Sequence, residues 1–267
     1  MNGHIEFTSI YGPITRKEIL FGIYLPPNYG RDSHVRFPVL YHLHGLNEDC
    51  TDHLESLARG LEQGVSQGVV PPMAVVAPHG YTNSMWVDSK DGRKPAETNV
   101  IRELMPHIEN TYRVTADRRQ RIIAGFSMGG YGAIRYALKY PDLFSMCISM
   151  DGAIHNLKSL KTIRGPIFTE IFGGDGDYFK SQCVFELAKQ NAQRVNGSVF
   201  FIILVGLLRS FNQRFRRHMT VSGLPIQDRY YVETGCDHDA VCILEQQGRR
   251  LFAQIGAHLS GQANSES

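Results

Sequence analysis

The sequence is poor in the features that mark most specialised protein classes. Its five cysteines (Cys50, Cys147, Cys183, Cys236 and Cys242) are odd in number and form no C-x-x-C pair. That argues against a disulfide framework and for small buried thiols in a reducing, cytoplasmic compartment. The longest apolar run, Val199 to Leu208, is ten residues. A spanning helix needs about 20, so the run reads as a buried strand and no membrane contact is expected. The opening MNGHIEFTSIYG has no apolar core, so no signal peptide is expected. An excess of charge of one sign is also missing. Lys+Arg number 28 and Asp+Glu 26, a net +2, which advertises neither a nucleic-acid nor an anionic-membrane partner.

What is present is an ordinary globular composition over 267 residues, 42% apolar and 20% charged. Strand-like segments at Lys17–Tyr24, Phe37–Leu43, Met73–Ala77, Arg121–Ala124, Phe144–Met150, Val199–Val205 and Arg229–Glu233 alternate with helical ones. The helical patterns fall at Leu54–Gln67, Pro95–Tyr112, Met128–Tyr140, Gln213–Ser222 and Leu244–Leu259. Short apolar strands between helices predict a mostly parallel α/β sheet covered on both faces. No linker divides the chain, so residues 1–267 read as one domain. Residues 152–198 have weaker periodicity and form a cover-like excursion, and the tail from 260 is expected to fray.

Gly125-Phe126-Ser127-Met128-Gly129 is a G-x-S-x-G motif between a strand-like RIIA and a helix-like GGYGAIRYALKYP. A nucleophile elbow requires that context. The turn is tight enough to need glycines at its flanks, and it lifts the Ser127 hydroxyl clear of the sheet at a helix N-terminus. Acyl transfer also needs two N–H donors for the oxyanion. Met128, following the serine, supplies one. The loop after Tyr41-His42-Leu43-His44-Gly45 supplies the other, assigned to Leu46.

The base must be a histidine after the serine in the chain. His218 and His258 sit in helices and His155 in the excursion. His238 lies in Thr234-Gly235-Cys236-Asp237-His238-Asp239, the loop leaving the last strand, and is the expected base. His42 and His44, two apart on a strand, could grip a metal, but further ligands run out, so no metal is expected. Tyr81, Trp86, Tyr131 and Phe172 are candidate pocket residues by position.

The segments YHLHGLNEDCTD, NSMWVDSKDG, ETNVIRELMPHIENTYRV and RRQRIIAGFSMGGYGAIRYALKYPDLF, with the late G-x-x-H, resemble the esterase D family of α/β-hydrolases. Its relatives include S-formylglutathione hydrolases, feruloyl and acetyl-carbohydrate esterases, and mycolyltransferases. The resemblance runs from about residue 5 to 258 and implies the α/β-hydrolase fold and a cofactor-free serine hydrolase of esters or thioesters. One departure stands out. The family pattern V-G-x-x-D-x-L-L, then N-x-x-F, carries the triad acid. Here Val205-Gly206-Leu207-Leu208 is followed by Arg209-Ser210-Phe211 and then Asn212-Gln213-Arg214-Phe215, a loop about four residues shorter, and no Asp or Glu lies between Glu186 and Asp228.

Another carboxylate can take the acid's place from any strand end near the histidine. Asp151 stands where relatives resemble Ser, at the end of Ile148-Ser149-Met150, and is the candidate. Asp175 or Asp177, and a Ser–His dyad without an acid, stay open. Asp237 and Asp239 read as loop and helix-cap residues. The expected activity is a serine carboxylesterase for short-chain acyl esters, with Ser127, His238 and Asp151 catalytic and Leu46 and Met128 as oxyanion donors. An S-formylglutathione-type thioesterase and a non-catalytic hydrolase fold are the alternatives. The expected partner is a small-molecule ester, without nucleic acid or membrane; a homo-oligomer stays open.

Overall fold

The computed structural model describes residues 3–261 except Ser33; of the tail expected from 260, residues 262–267 lie outside the described residues. Its strands are β1 (His4–Gly12), β2 (Lys17–Leu25), β3 (Val39–Leu43), β4 (Ala74–Pro78), β5 (Arg121–Phe126), β6 (Met146–Met150), β7 (Phe200–Val205) and β8 (Tyr231–Glu233). They form one eight-stranded sheet in the order β1-β2-β4-β3-β5-β6-β7-β8. Pairing is parallel from β4 to β8, while β1–β2 and β2–β4 are antiparallel. This is the mostly parallel α/β sheet that the sequence predicts.

Alternation along each strand divides the core into two. Leu40, Val75, Ile122, Ala124, Met146 and Ile148 face α1 (Leu54–Ser66) and α10 (Ala240–Leu259). Val39, Tyr41, Val76, Ile123 and Cys147 face the remaining helices. Both faces are apolar, because a parallel sheet covered by helices leaves neither to water.

The helix expected over Pro95–Tyr112 is α2 (Ala96–Thr98), a wider π-wound stretch at Asn99–Leu104, and α3 (Met105–Thr111). Pro106 has no N–H and its ring crowds the carbonyl four residues back, so the turn before it opens. Val100, Leu104 and Ile108 still fall on one buried face. After β5 comes α4 (Met128–Lys139). The excursion folds into α5 (Leu157–Ile163), α6 (Gly165–Phe172), α7 (Gly176–Gln182) and α8 (Val184–Val195), with α8 against α4. Its first three helices are two turns each, too short to raise a periodic signal in a window of 11–18 residues.

The remaining helix, α9 (Arg209–Val221), begins earlier than its sequence pattern suggests. The ten-residue apolar run stops being strand at Val205, and Leu207 is 63% exposed. Strand β1 has no counterpart in the sequence reading. It is the sheet's edge, half-exposed, without a run of buried residues.

The cysteine expectation is corrected at one pair. Cys236 and Cys242 form a disulfide, whereas Cys50, Cys147 and Cys183 are free and buried. The first turn of α10 brings Cys242 back over the loop that holds Cys236, a proximity that spacing alone did not suggest. Among the described residues no helix is long and apolar enough to cross a membrane.

Candidate active site

Strands β3, β5, β6, β7 and β8 run parallel, so the loops at their C-terminal ends share one edge of the sheet. All five of them build the site. The turn from β5 to α4 places Ser127 at φ 54° and ψ −113°, a backbone region that non-glycine residues rarely occupy. Its flanks require glycine. A Cβ on Gly125 would lie 2.2 Å from the Gly129 carbonyl oxygen, and one on Gly129 would lie 1.8 Å from the Leu43 carbonyl oxygen. The turn is pinned by Ser127 N–H donating to the Met150 carbonyl and Ala153 N–H donating to the Ser127 carbonyl, each at 2.9 Å.

The loop after β8 brings His238 to this serine. His238 Nε2 lies 2.8 Å from Ser127 Oγ, and Nδ1 lies 2.6 Å from Asp151 Oδ2. An ionised carboxylate only accepts, so Nδ1 carries the proton and Nε2 is free to accept from the serine hydroxyl. The Phe126 ring stacks obliquely on the imidazole, 4.7 Å between centroids.

Asp151, just past β6 at φ 44°, is fully buried. A buried charge needs several donors. Gly206 N–H and Leu208 N–H donate to its Oδ1 at 2.9 and 3.0 Å, and His238 holds the other oxygen. The shortened loop after β7, which lacks the family's acid, therefore supplies the N–H groups that receive one from the neighbouring strand. Asn212 seals the junction, its amide donating to the carbonyls of Gly152 and Leu208 at 3.0 and 2.9 Å.

The loop after β3 completes the site. Trp86 Nε1–H donates to the His44 carbonyl at 3.1 Å. His44 Nδ1–H donates to the Gly45 carbonyl at 2.8 Å while its Nε2 accepts Gly80 N–H at 3.0 Å. Those two bonds require a neutral ring, and burial lowers the His44 pKa to about 4. The Leu46 and Met128 N–H groups donate to no group among the described residues. His42 takes a different partner from His44: its Nε2 lies 3.4 Å from His53 Nδ1, and burial holds its pKa well below the ordinary value. Among the described residues no three His, Cys, Asp or Glu side chains gather as a metal site.

The other candidates lie elsewhere. Asp175 caps α7 through the Asp177 and Tyr178 N–H groups and pairs with Lys90, and Asp177 pairs with Lys180 at the surface. Asp239 caps α10 through the Val241 and Cys242 N–H groups. His155, His218 and His258 bond to Ser159, the Phe185 carbonyl and Ser145 respectively. The pocket guess is corrected for Trp86, Tyr131 and Phe172, which are 0% exposed and belong to the core; Tyr81 alone is half-exposed. Sequence reasoning missed the N–H groups of Gly206 and Leu208, because backbone donors leave no mark in residue types.

The chain matches the family model described as "Putative esterase" over residues 13–198. It is 29% identical over 205 residues to the endo-1,4-beta-xylanase/feruloyl esterase of Xylanibacter ruminicola, covering 74% of this chain but only 26% of that longer protein. Among solved structures, a ferulic acid esterase superposes with a TM-score of 0.81 at 20% identity, over 96% of this chain and 99% of that one. The fluorophosphonate-binding serine hydrolase FphF of Staphylococcus aureus gives 0.80 at 19% identity, over 96% and 99%. Both structures share the α/β-hydrolase fold, and with its family model matched over well more than half of its length the chain belongs to this esterase family.

Proposed function

We propose that the protein is a serine carboxylesterase acting on short-chain acyl esters. The observation that carries this reading is the continuous hydrogen-bonded line Ser127–His238–Asp151, 2.8 and 2.6 Å, at the elbow. In this reading His238 Nε2 takes the hydroxyl proton as Ser127 Oγ attacks the carbonyl carbon. The Leu46 and Met128 N–H groups hold the oxyanion, at the N-terminus of α4 where the helix dipole favours negative charge. His238 then returns the proton to the leaving alcohol. Water, activated by the same imidazole, releases the acid. Asp151 keeps the proton on Nδ1 and balances the imidazolium.

The non-catalytic alternative rested on a missing acid, and Asp151 at the ring removes that footing. The reading needs a small-molecule ester and no nucleic acid, membrane or second subunit. The cytoplasmic placement is supported by the three free buried thiols, whereas the Cys236–Cys242 bond requires an oxidising step. Thiol counting on unreduced protein separates the two.

Ser127→Ala tests the function. Hydrolysis of p-nitrophenyl acetate should fall by about 10⁴–10⁶ with folding retained, and a phosphonate should label the wild type alone. More than about a tenth of the rate in the variant overturns the assignment. Comparing S-formylglutathione with the acetate under the same conditions separates thioester from ester preference.

A further inference from the structure

Glu48 has no role in the machinery described so far, yet it sits against it. Its Oε2 accepts the Gly45 N–H at 2.6 Å, and its other oxygen lies 3.7 Å from His53 Nε2. Its backbone N–H bonds back to the Gly45 carbonyl at 3.4 Å, closing a turn in which Asn47 has φ 62° and donates its N–H to the Thr82 carbonyl at 2.8 Å. The side chain is 24% exposed. A carboxylate half withdrawn from water beside a catalytic loop costs solvation that its bonds must offset. Burial pushes its pKa above the ordinary carboxyl value, and His53 and the Gly45 N–H offset only part of that rise.

We propose that Glu48 is a positioning residue for the oxyanion donor Leu46, an inference that rests on the esterase reading above. A trans peptide is planar, with its C=O and N–H pointing in opposite directions. The direction of Leu46 N–H is therefore set by how the Gly45 carbonyl is held. That carbonyl is gripped by His44 Nδ1–H and the Glu48 N–H. The preceding peptide is gripped at both ends, by Trp86 Nε1–H on the His44 carbonyl and by the Glu48 carboxylate on the Gly45 N–H. Without the carboxylate, the Gly45 N–H loses its acceptor, and the permissive Gly45 backbone is held less firmly, by the His44 and Trp86 bonds and the long Glu48 N–H bond alone. Leu46 N–H then swings away from the oxyanion. Gly45 is itself part of the device, since a Cβ there would lie 2.8 Å from Glu48 Oε2.

The test uses the full chain, p-nitrophenyl acetate and a trifluoromethyl ketone, which forms a tetrahedral oxyanion on a serine. Glu48→Ala should lower kcat by about 10–100-fold, less than the about 10²–10³ for outright loss of a donor, with KM within about threefold. The ketone's inhibition constant should rise by the same factor as kcat/KM falls. Glu48→Gln, whose amide oxygen still accepts, should keep most of the rate. Glu48→Asp, which keeps the charge but withdraws the oxygen by one methylene, should lose it, and it replaces the alanine variant if that does not fold. An alanine variant within about threefold of wild type, a glutamine variant as damaged as the aspartate one, or an unchanged ketone constant beside a lost rate overturns the proposal. Failure of the esterase reading shows separately, as wild-type protein that hydrolyses nothing or a Ser127→Ala variant that still turns over.

Discussion

The two loops that close on Ser127 are built in opposite ways. The loop after β3 starts at His44 and Gly45, both buried, and is held by hydrogen bonds with Trp86, Gly80, Thr82 and its own Glu48. The loop after β8 leaves a strand of three residues at the sheet's edge, and Asp237, His238 and Asp239 are exposed. It is held by Thr234 bonded to the Val205 carbonyl, by the Asp239 cap and by the disulfide. The proposed oxyanion side is thus anchored to the core, while the proposed base is mounted on the periphery. The difference suits the chemistry. Oxyanion donors work by not moving, whereas an imidazole that accepts and returns a proton needs only a correct hinge and a fixed tautomer.

Removing the tautomer control should have the largest effect. Asp151→Asn presents an amide to Nδ1 and should cut kcat by up to about 10⁴. It also leaves the Gly206 and Leu208 N–H groups facing a poorer acceptor, so a loss of about 1–3 kcal/mol in urea unfolding should accompany it. A few-fold change in rate would show that the buried carboxylate serves stability alone.

On the locked side, Gly129→Ala should destabilise by about 3 kcal/mol, because its Cβ would meet the Leu43 carbonyl oxygen at 1.8 Å, a backbone atom that cannot step aside. The corresponding change in the other loop, Gly235→Ala, meets no atom within 4 Å but sits at φ 75°. It should cost only about 1 kcal/mol, through backbone strain. Equal losses in thermal unfolding would erase the contrast between the two sides of the site.

The locked side also carries an acid-sensitive lock. Glu97 is buried against Arg135 at 2.5 Å and Lys139 at 2.7 Å, both on the elbow helix α4. Burial alone would raise its pKa, but the two cations outweigh it and lower the value from 4.5 to about 2. A depressed carboxyl pKa means a contribution present in full above about pH 4.5 and lost as the pH falls toward 2. Urea midpoints should therefore decline over that interval by an amount on the order of 3 kcal/mol in total. Glu97→Gln should flatten that part of the curve while lowering stability at neutral pH.

The smallest expected effect on rate belongs to the disulfide. It closes a short loop around His238, so Cys242→Ser should cost about 2 kcal/mol, mostly by freeing the unfolded chain. Activity at low temperature should fall only a few-fold if the Thr234 bond and the Asp239 cap hold the loop. A much larger loss at unchanged stability would mean that the sulfur bridge, and not these bonds, sets the histidine.

The site was legible where its chemistry is local. The elbow declares itself because glycines must flank a turn in which an added Cβ would lie within 2.2 Å of backbone oxygen, and His238 because it follows the last strand in chain order. Asp151 was legible only against the family pattern, as one missing carboxylate and one unexpected one. Glu48 was not legible at all. A glutamate in a polar loop looks like solvent-facing charge until its acceptor role at the Gly45 N–H is seen. The same holds for Trp86, which position suggested for the pocket but which lies wholly in the core with its indole N–H on the His44 carbonyl.

By itself the amino-acid sequence determined the class of sheet, the elbow, the H-G loop and the histidine. Each depends on periodicity or on residues within a few positions of one another, and short-range sterics suffice to specify them. Tertiary structure alone decided the rest: β1 as an edge strand, four helices in the excursion, the 236–242 disulfide, and the meeting of Asp151 with a ring 87 positions away. The loop after β7 shows why. Its residue types record the loss of an acid, yet its gain of two N–H donors for Asp151 resides in the backbone, which every sequence shares and only a folded chain aims.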